Sequence, residues 1–216
     1  MSKILLDCPL AEIREKLLEM QLLVENLVIN ALITIKDPSC GIGQNAERQD
    51  EKVNRLEEEI RDLVTRTFLL HQPVATSYRF LVATTTIIAD LEHMGDSAKR
   101  ICHEFGQMKK FNAESLEPLC QLVQKTISSC FRALSQLELK DIGLLEKIVR
   151  GRYDTEETCK QVFAVLEEAG ARNPKEFHLQ LLTAAELRRI SDYAASIADQ
   201  LIFYNTGGRL RFPRAA

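Results

Sequence analysis

Three acids stand close together in the stretch Ala89-Asp90-Leu91-Glu92-His93-Met94-Gly95-Asp96-Ser97-Ala98. Glu92 and Asp96 are four residues apart, so on a helix they lie on one face. Gly95 between them is unusual, because glycine in a helix interior costs about 1 kcal/mol relative to alanine. Upstream, Asp50 and Asn54 repeat the same spacing. Carboxylates held close together raise one another's pKa unless a cation neutralises them. A cluster of Asp50, Asn54, Glu92 and Asp96 would therefore be a metal site, with oxygen donors suited to magnesium, calcium, manganese or iron. The same spacing also fits a solvated polar helix face, beside Glu47, Glu51, Glu57, Glu58 and Glu59. The residues alone leave both readings open.

Other site chemistry is hard to find. The histidines are His71, His93, His103 and His178, and none follows a glutamate at the Glu-x-x-His spacing of a di-iron oxidase. Neither a phosphate-cradling glycine loop nor G-x-S-x-G nor H-E-x-x-H occurs. The expectation is a protein that is not an enzyme, with no catalytic residues. Six cysteines (Cys8, Cys40, Cys102, Cys120, Cys130, Cys159) occur without a CxxC pair. They read as reduced, structural thiols at apolar helix positions.

The elements that must carry these residues are helices. Leu10, Ile13, Leu17, Met20, Val24, Leu27 and Ala31 alternate spacings of three and four, the signature of a packed seam. Asp37-Pro38 ends that helix and can open another. A second seam runs through Val53, Leu56, Ile60, Leu63, Thr67 and Leu70. Pro73 breaks it, and a third helix is expected from Pro73 to about Gly106. A fourth should span Leu116 to Leu137, a fifth run from an Asp141 cap to Gly170, and a sixth run from Asn173-Pro174 to about Asn205. No stretch alternates with the period of a strand, so the fold is all-α with six helices. The likeliest boundary, at Gly106 to Ser115, divides the chain into two tandem antiparallel three-helix bundles, residues 1–110 and 111–216.

The halves repeat one another. A shift of 96 residues lays Ala89 to Ala98 on Ala185 to Ala194, and a shift of 104 lays Asp50 on Asp154. The second copy keeps Asp154 and Asp192, but Thr158 stands at the place of Asn54 and Arg188 at that of Glu92. An arginine there repels a cation and can pair with Asp192. Heptad phase also locates the first cluster. With Leu91 and Ala98 at a, Glu92 falls at b and Asp96 at f. With Val53 at a, Asp50 falls at e, on the flank. The acids are expected on the outside of the bundle.

Composition excludes several classes. The chain has 216 residues and a formal charge of −3, without the basic footprint of a nucleic-acid binder. The arginines of Arg209 to Arg214 read as a solvated tail. The longest apolar run, Phe80 to Ala89, falls short of the roughly 20 residues of a membrane span, and Met1 to Pro9 lacks the pattern of a signal peptide. A cytoplasmic protein without membrane insertion is expected.

Two motifs carry a resemblance. Gln72-Pro73-Val74-Ala75 with Arg79, followed by Asp90 to Ala98, resembles the PhoU family of phosphate-signalling regulators, whose pattern reads Q-P-V-A-x-D-L-R, then D-L-E-R-I-G-D-x-A. The likeness extends to Val53-Asn54-Arg55-Leu56-Glu57, to the helix from Glu12 to Ala31, and to Tyr204-Asn205-Thr206-Gly207. It implies paired three-helix bundles whose E(D)xxxD motifs bind metal ions or multinuclear clusters, often iron, on the bundle surface. It also implies a cytoplasmic adaptor that represses phosphate uptake and starvation signalling. Such an adaptor contacts the ATPase subunit of a phosphate ABC transporter and a sensor histidine kinase. This chain departs from the pattern at Asn54, Ser77, Tyr78, Thr158 and Arg188, so metal is expected in the first half, at Asp50, Glu92 and Asp96. Two alternatives stay open: a helical protein whose purpose is its metal, and an accessory adaptor to another phosphate permease. Long exposed bundles also lead us to expect a homodimer.

Overall fold

The structure is a computed structural model and describes residues 2–106, 114–135, 137, 141–169 and 174–208. Six long helices carry it: α1 (Ser2–Lys36), α2 (Ala46–His71), α3 (Ala75–Gly106), α4 (Glu117–Ser135), α5 (Ile142–Ala169) and α6 (Pro174–Thr206). Among the described residues there is no strand. Helices α1, α2 and α3 pack on one another, as do α4, α5 and α6, and the two bundles are joined chiefly by α3 lying along α6. The expected boundary falls on residues 107–113, outside the described residues, as do Gly170, Asn173 and the arginines from Arg209 onward.

The seams explain the packing. Every α1 seam position from Leu10 to Ala31 is buried, as are Val53, Leu56 and Ile60 of α2 and Leu91, Met94, Ala98, Ile101 and Phe105 of α3. Alternating spacings of three and four put these side chains on one stripe per helix, and each stripe meets two others around a common axis. Asp37 does cap a helical turn, accepting from Ser39 N at 3.0 Å, but the turn is a short 3-10 helix, Pro38–Cys40. Gly41, at φ +70, separates it from a second 3-10 turn, Ile42–Asn45, and only then does α2 begin. Asp141 caps α5 as expected, its Oδ1 accepting from Leu144 N at 3.0 Å.

Two expectations fail. Leu70 continues the α2 seam in sequence but is exposed in the structure. The seam stops at Thr67, and the reversal at Gln72 turns the last helical turn toward solvent. Among the described residues there is also one helix long and apolar enough to cross a membrane by length and composition, Leu6–Lys36, whose most apolar 18-residue window has mean hydropathy 1.5. Half of its most apolar window is buried, as suits the central helix of a bundle. The six cysteines are free thiols, four of them buried, and burial pushes Cys102 up to about 11 and Cys120 up to about 12. Thiols so hard to ionise are packing groups.

Candidate functional site

The first acidic cluster sits where α2 crosses α3. Asp50 lies one turn into α2 and is 3% exposed, which corrects its expected place on the outer flank. Gly95 of α3 faces it. A Cβ at that position would stand 3.6 Å from Asp50 Oδ1, 3.6 Å from Leu27 Cδ1 and 3.7 Å from Val53 Cγ1, all ordinary contact distances. The Asp50 carboxylate thus packs against α3 beside the hydrophobic core. Glu92 and Asp96 are half-buried, nearer the outside.

Lys99, one turn after Asp96, sits between the acids. Its Nζ donates to Asp50 Oδ2 at 2.5 Å and to Asp96 Oδ1 at 2.6 Å. Burial raises the Asp50 pKa, and the Lys99 hydrogen bond and charge pull against it. Burial also disfavours the charged form of Lys99, but the bonds to Asp50 and Asp96 outweigh it and raise the lysine's pKa. Glu92 is raised by burial and then by the neighbouring Asp96 charge. His93 Nε2, 3.5 Å from Glu92 Oε2, works in the other direction.

Whether these residues suit a metal can be judged from their oxygens. Among the described residues no three His, Cys, Asp or Glu side chains converge closely enough to hold an ion. Yet Asp50 Oδ1 and Asn54 Oδ1 are both buried without a hydrogen-bond partner, which is costly unless something satisfies them. The donors are all oxygen, as a hard cation requires. The donor type suits a hard cation, the side chains as placed do not converge on one, and Lys99 supplies the positive charge among them.

The second copy is built differently. Asp154 is exposed, and Arg188 Nε lies 3.8 Å from Asp192 Oδ2. Thr158, at the place of Asn54, donates its hydroxyl to its own helix at Asp154 O, 2.8 Å away. At the place of Gly95 stands Ser191, buried and within 2.8 Å of Thr155 Oγ1 on α5. The structure does not bring Asp154 and Asp192 into a common cluster with Asp50, Glu92 and Asp96.

Sequence reasoning missed a second polar line, along α3 and α6. Glu186 is 2% exposed and accepts from Arg100 Nη1 at 2.7 Å and Arg189 Nη1 at 3.1 Å. Asp90, its counterpart under the 96-residue shift, is also buried, with a hydrogen bond from Ser196. Ser196 is in turn the counterpart of Arg100, so the two contacts are one interaction repeated with different chemistry. Burial lifts the Asp90 pKa to about 6. The rings of His93 and Tyr193 stack across the same seam at 5.2 Å. The repeat alignment, which lays Asp90 on Glu186, was the available signal.

The sequence motifs at the chain's two ends also meet. Arg79 Nε donates to Tyr204 O at 3.0 Å and packs against Gly207, whose φ of +77 ends α6. Arg14 donates to Tyr204 Oη at 3.3 Å and lies 5.1 Å from the Phe80 ring centroid. Arg79 thus satisfies a carbonyl that the helix terminus leaves open.

Paired three-helix bundles, an acidic crossing in the first and a buried polar seam between them define a two-bundle helical protein. Comparison with known proteins extends the resemblance. Residues 17–105 match the PhoU domain family. A phosphate-specific transport system accessory protein PhoU homolog from Caulobacter vibrioides is 27% identical over 216 residues, covering 95% of this chain and 91% of the relative. Another from Pseudomonas aeruginosa is 24% identical over 214 residues, covering 95% and 87%. The crystal structure of PhoU from Pseudomonas aeruginosa superimposes with a TM-score of 0.86 at 22% identity, covering 94% of this chain and 99% of that one. These matches establish the resemblance to the PhoU family that the motifs carried, and the all-α fold with it.

Proposed function

We propose that this protein is an accessory regulator of phosphate transport, acting by contact with partner proteins rather than by catalysis. The likeness carrying this reading is the near full-length match to relatives described as phosphate-specific transport system accessory proteins. The finer reading is negative regulation from the cytoplasm. When phosphate is ample the protein restrains uptake and starvation signalling, through the ATPase subunit of a phosphate ABC transporter and a sensor histidine kinase. Deleting the gene in its host tests the role. Phosphatase expression and phosphate uptake should rise in phosphate-rich medium, and unchanged levels would refute it.

Within that role the first bundle holds a metal ion, iron by family resemblance, through Asp50, Glu92 and Asp96, with Asn54 adding a carbonyl oxygen. Support comes from the two unsatisfied buried oxygens, Asp50 Oδ1 and Asn54 Oδ1. Lys99 and the cation then compete for the same carboxylates. Elemental analysis of tag-free protein checks the site: metal should be present, and lost in Glu92→Ala with Asp96→Ala.

The protein acts as a homodimer. Leu22, Ile29 and Ile33 are exposed along the outer face of α1. An antiparallel α1 pair would set Leu22 opposite Ile29, Leu18 opposite Ile33 and Glu15 opposite Lys36. Light scattering should give a dimeric mass for the wild type and a monomeric one for Leu22→Glu with Ile29→Glu.

A further inference from the structure

Lys99 falls just beyond the motif that ends at Ala98, and its counterpart under the 96-residue shift is Ala195, buried and without charge. The first bundle thus carries a cation that the second lacks at this place. Its ammonium stands between Asp50 Oδ2, at 2.5 Å, and Asp96 Oδ1, at 2.6 Å, and so ties α2 to α3. Glu92 feels both of these carboxylates, so one positive charge is set against three negative ones. The bridge also leaves Asp50 Oδ1 buried without a partner. An ammonium here does part of what a metal ion would do, easing the repulsion between the acids. A divalent ion would do it with twice the charge.

Lys99 also borders open space. It lines a cavity of about 450 Å³ between the start of α2, where Gln44, Ala46 and Glu47 face it, and the end of α3, where Arg100 and His103 do. Arg100 is turned to Glu186, its Nη1 donating at 2.7 Å. Glu47 lies three residues before Asp50, on the same side of α2 and one turn nearer its start. It is exposed, and among the described residues its carboxylate is in no ion pair. Passing from Asp50 to Glu47 takes the ammonium about 5 Å, the height of one helical turn. The flexible four-carbon stem of a lysine allows that movement, and the cavity leaves the path clear.

We propose that Lys99 is a tethered counter-ion: it occupies the acidic crossing when no metal is present, and a divalent transition ion binds by displacing it into this cavity, where Glu47 receives the ammonium. The inference rests on the metal reading above and adds what sets occupancy. It also accounts for acids that do not converge in the structure described, since Lys99 holds Asp50 and Asp96 toward itself. Because the ammonium is attached beside the site, it competes at a fixed and high local concentration. Ions that coordinate strongly overcome it. Magnesium, which gives up its waters reluctantly, is kept out. Lys99 is thus a residue that determines which cations the first bundle accepts.

Calorimetric titration of the full chain with manganous, ferrous and magnesium ions tests the exchange. Lys99→Gln should bind manganese about tenfold or more tightly than the wild type, and should admit magnesium. Glu47→Gln should weaken manganese binding by roughly two- to fivefold, and by clearly less when Lys99→Gln is also present. Acylation of accessible amines, read by peptide mass spectrometry, follows Lys99 in the wild type and needs no variant: its labelling should rise when manganese is added. Equal manganese affinity in wild type and Lys99→Gln, an equal Glu47→Gln effect in both backgrounds, or Lys99 labelling unchanged at saturating manganese would each overturn the exchange and leave the metal site standing. Absence of manganese and ferrous binding in both wild type and Lys99→Gln would remove the metal site and the exchange together.

Discussion

In the first bundle the Asp50 carboxylate lies against α3 at Gly95, and Lys99 reaches across to neutralise it. In the second bundle Ser191 stands at the corresponding place, bonded to Thr155, and Arg188 pairs with Asp192 nearer solvent. The α3–α6 seam shows a similar divergence: Glu186 is held by two arginines, whereas Asp90 has a serine. Around these differences the apolar positions stay matched, Leu91 with Leu187, Met94 with Ile190 and Ile101 with Ile197, all buried. A repeated helix tolerates exchange of its polar partners while its apolar stripe keeps the packing. The buried acids are where the two halves differ in energy.

Lys99→Ala should have the largest effect. It strips the counter-charge from a buried carboxylate, a change that costs 3–5 kcal/mol at a fully buried pair. Lys99 itself is a third exposed, so about 2 kcal/mol is the expected loss. The corresponding change in the other half, Arg188→Ala, removes a solvated pair and should cost no more than about 0.5 kcal/mol. Urea unfolding of both variants measures the contrast. Adding ferrous or manganous ion should recover stability in Lys99→Ala and do little for Arg188→Ala. Equal losses would remove the distinction between the sites.

At the seam, the same neutralisation should act in opposite directions. The Asp90 pKa is raised to about 6 when folded, against roughly 3.9 for an unfolded aspartate. The folded state therefore holds a proton that the unfolded state releases. The stability this gives is full below about pH 4 and is lost as pH rises through about 6. Asp90→Asn keeps the group neutral, so it should stabilise the protein at pH 7.5 by up to about 2–3 kcal/mol and flatten the stability profile between pH 4 and 6. Glu186→Gln removes the acceptor charge facing Arg100 and Arg189 and should destabilise by about 1 kcal/mol, reduced because both arginines reach solvent. Melting temperatures of the two variants across that pH range decide the matter, and changes of the same sign would remove the contrast.

Much of this fold was legible because the seam spacing is strict: a run such as Leu10, Ile13, Leu17, Met20 fits only a helix packed along one stripe. Heptad phase was less informative at the flanks. It put Asp50 at an e position and hence outside, but in a three-helix bundle an e position borders the second neighbour, and here that neighbour, α3, covers it. Heptad phase gives no place to Asp90, one residue before a seam position, for a related reason: α3 has a second partner, α6, which the local pattern does not report. Lys99 and Arg100 passed unnoticed because long side chains choose their partners in space, and surface lysines are indistinguishable by spacing. Leu70 kept its phase, but nothing in a periodicity marks where the neighbouring helices end.

The smallest effects concern the glycine itself, and they test whether its place is set by packing or by the acid it faces. A methyl at residue 95 would meet its neighbours at 3.6–3.7 Å, which is ordinary contact. Gly95→Ala should therefore gain the helix propensity of alanine, about 0.5–1 kcal/mol, without strain. The same methyl would fill the space beside Asp50 Oδ1, the oxygen proposed to face the cation, so metal uptake should weaken even as the protein becomes more stable. At the counterpart, Ser191→Gly loses both propensity and the Thr155 hydrogen bond, for a cost of about 1–1.5 kcal/mol, with no change in metal content. Thermal unfolding paired with elemental analysis separates the outcomes. If Gly95→Ala is stabilised and binds metal normally, the glycine serves neither the acid nor the cation, and the first bundle's distinction rests on Lys99 alone.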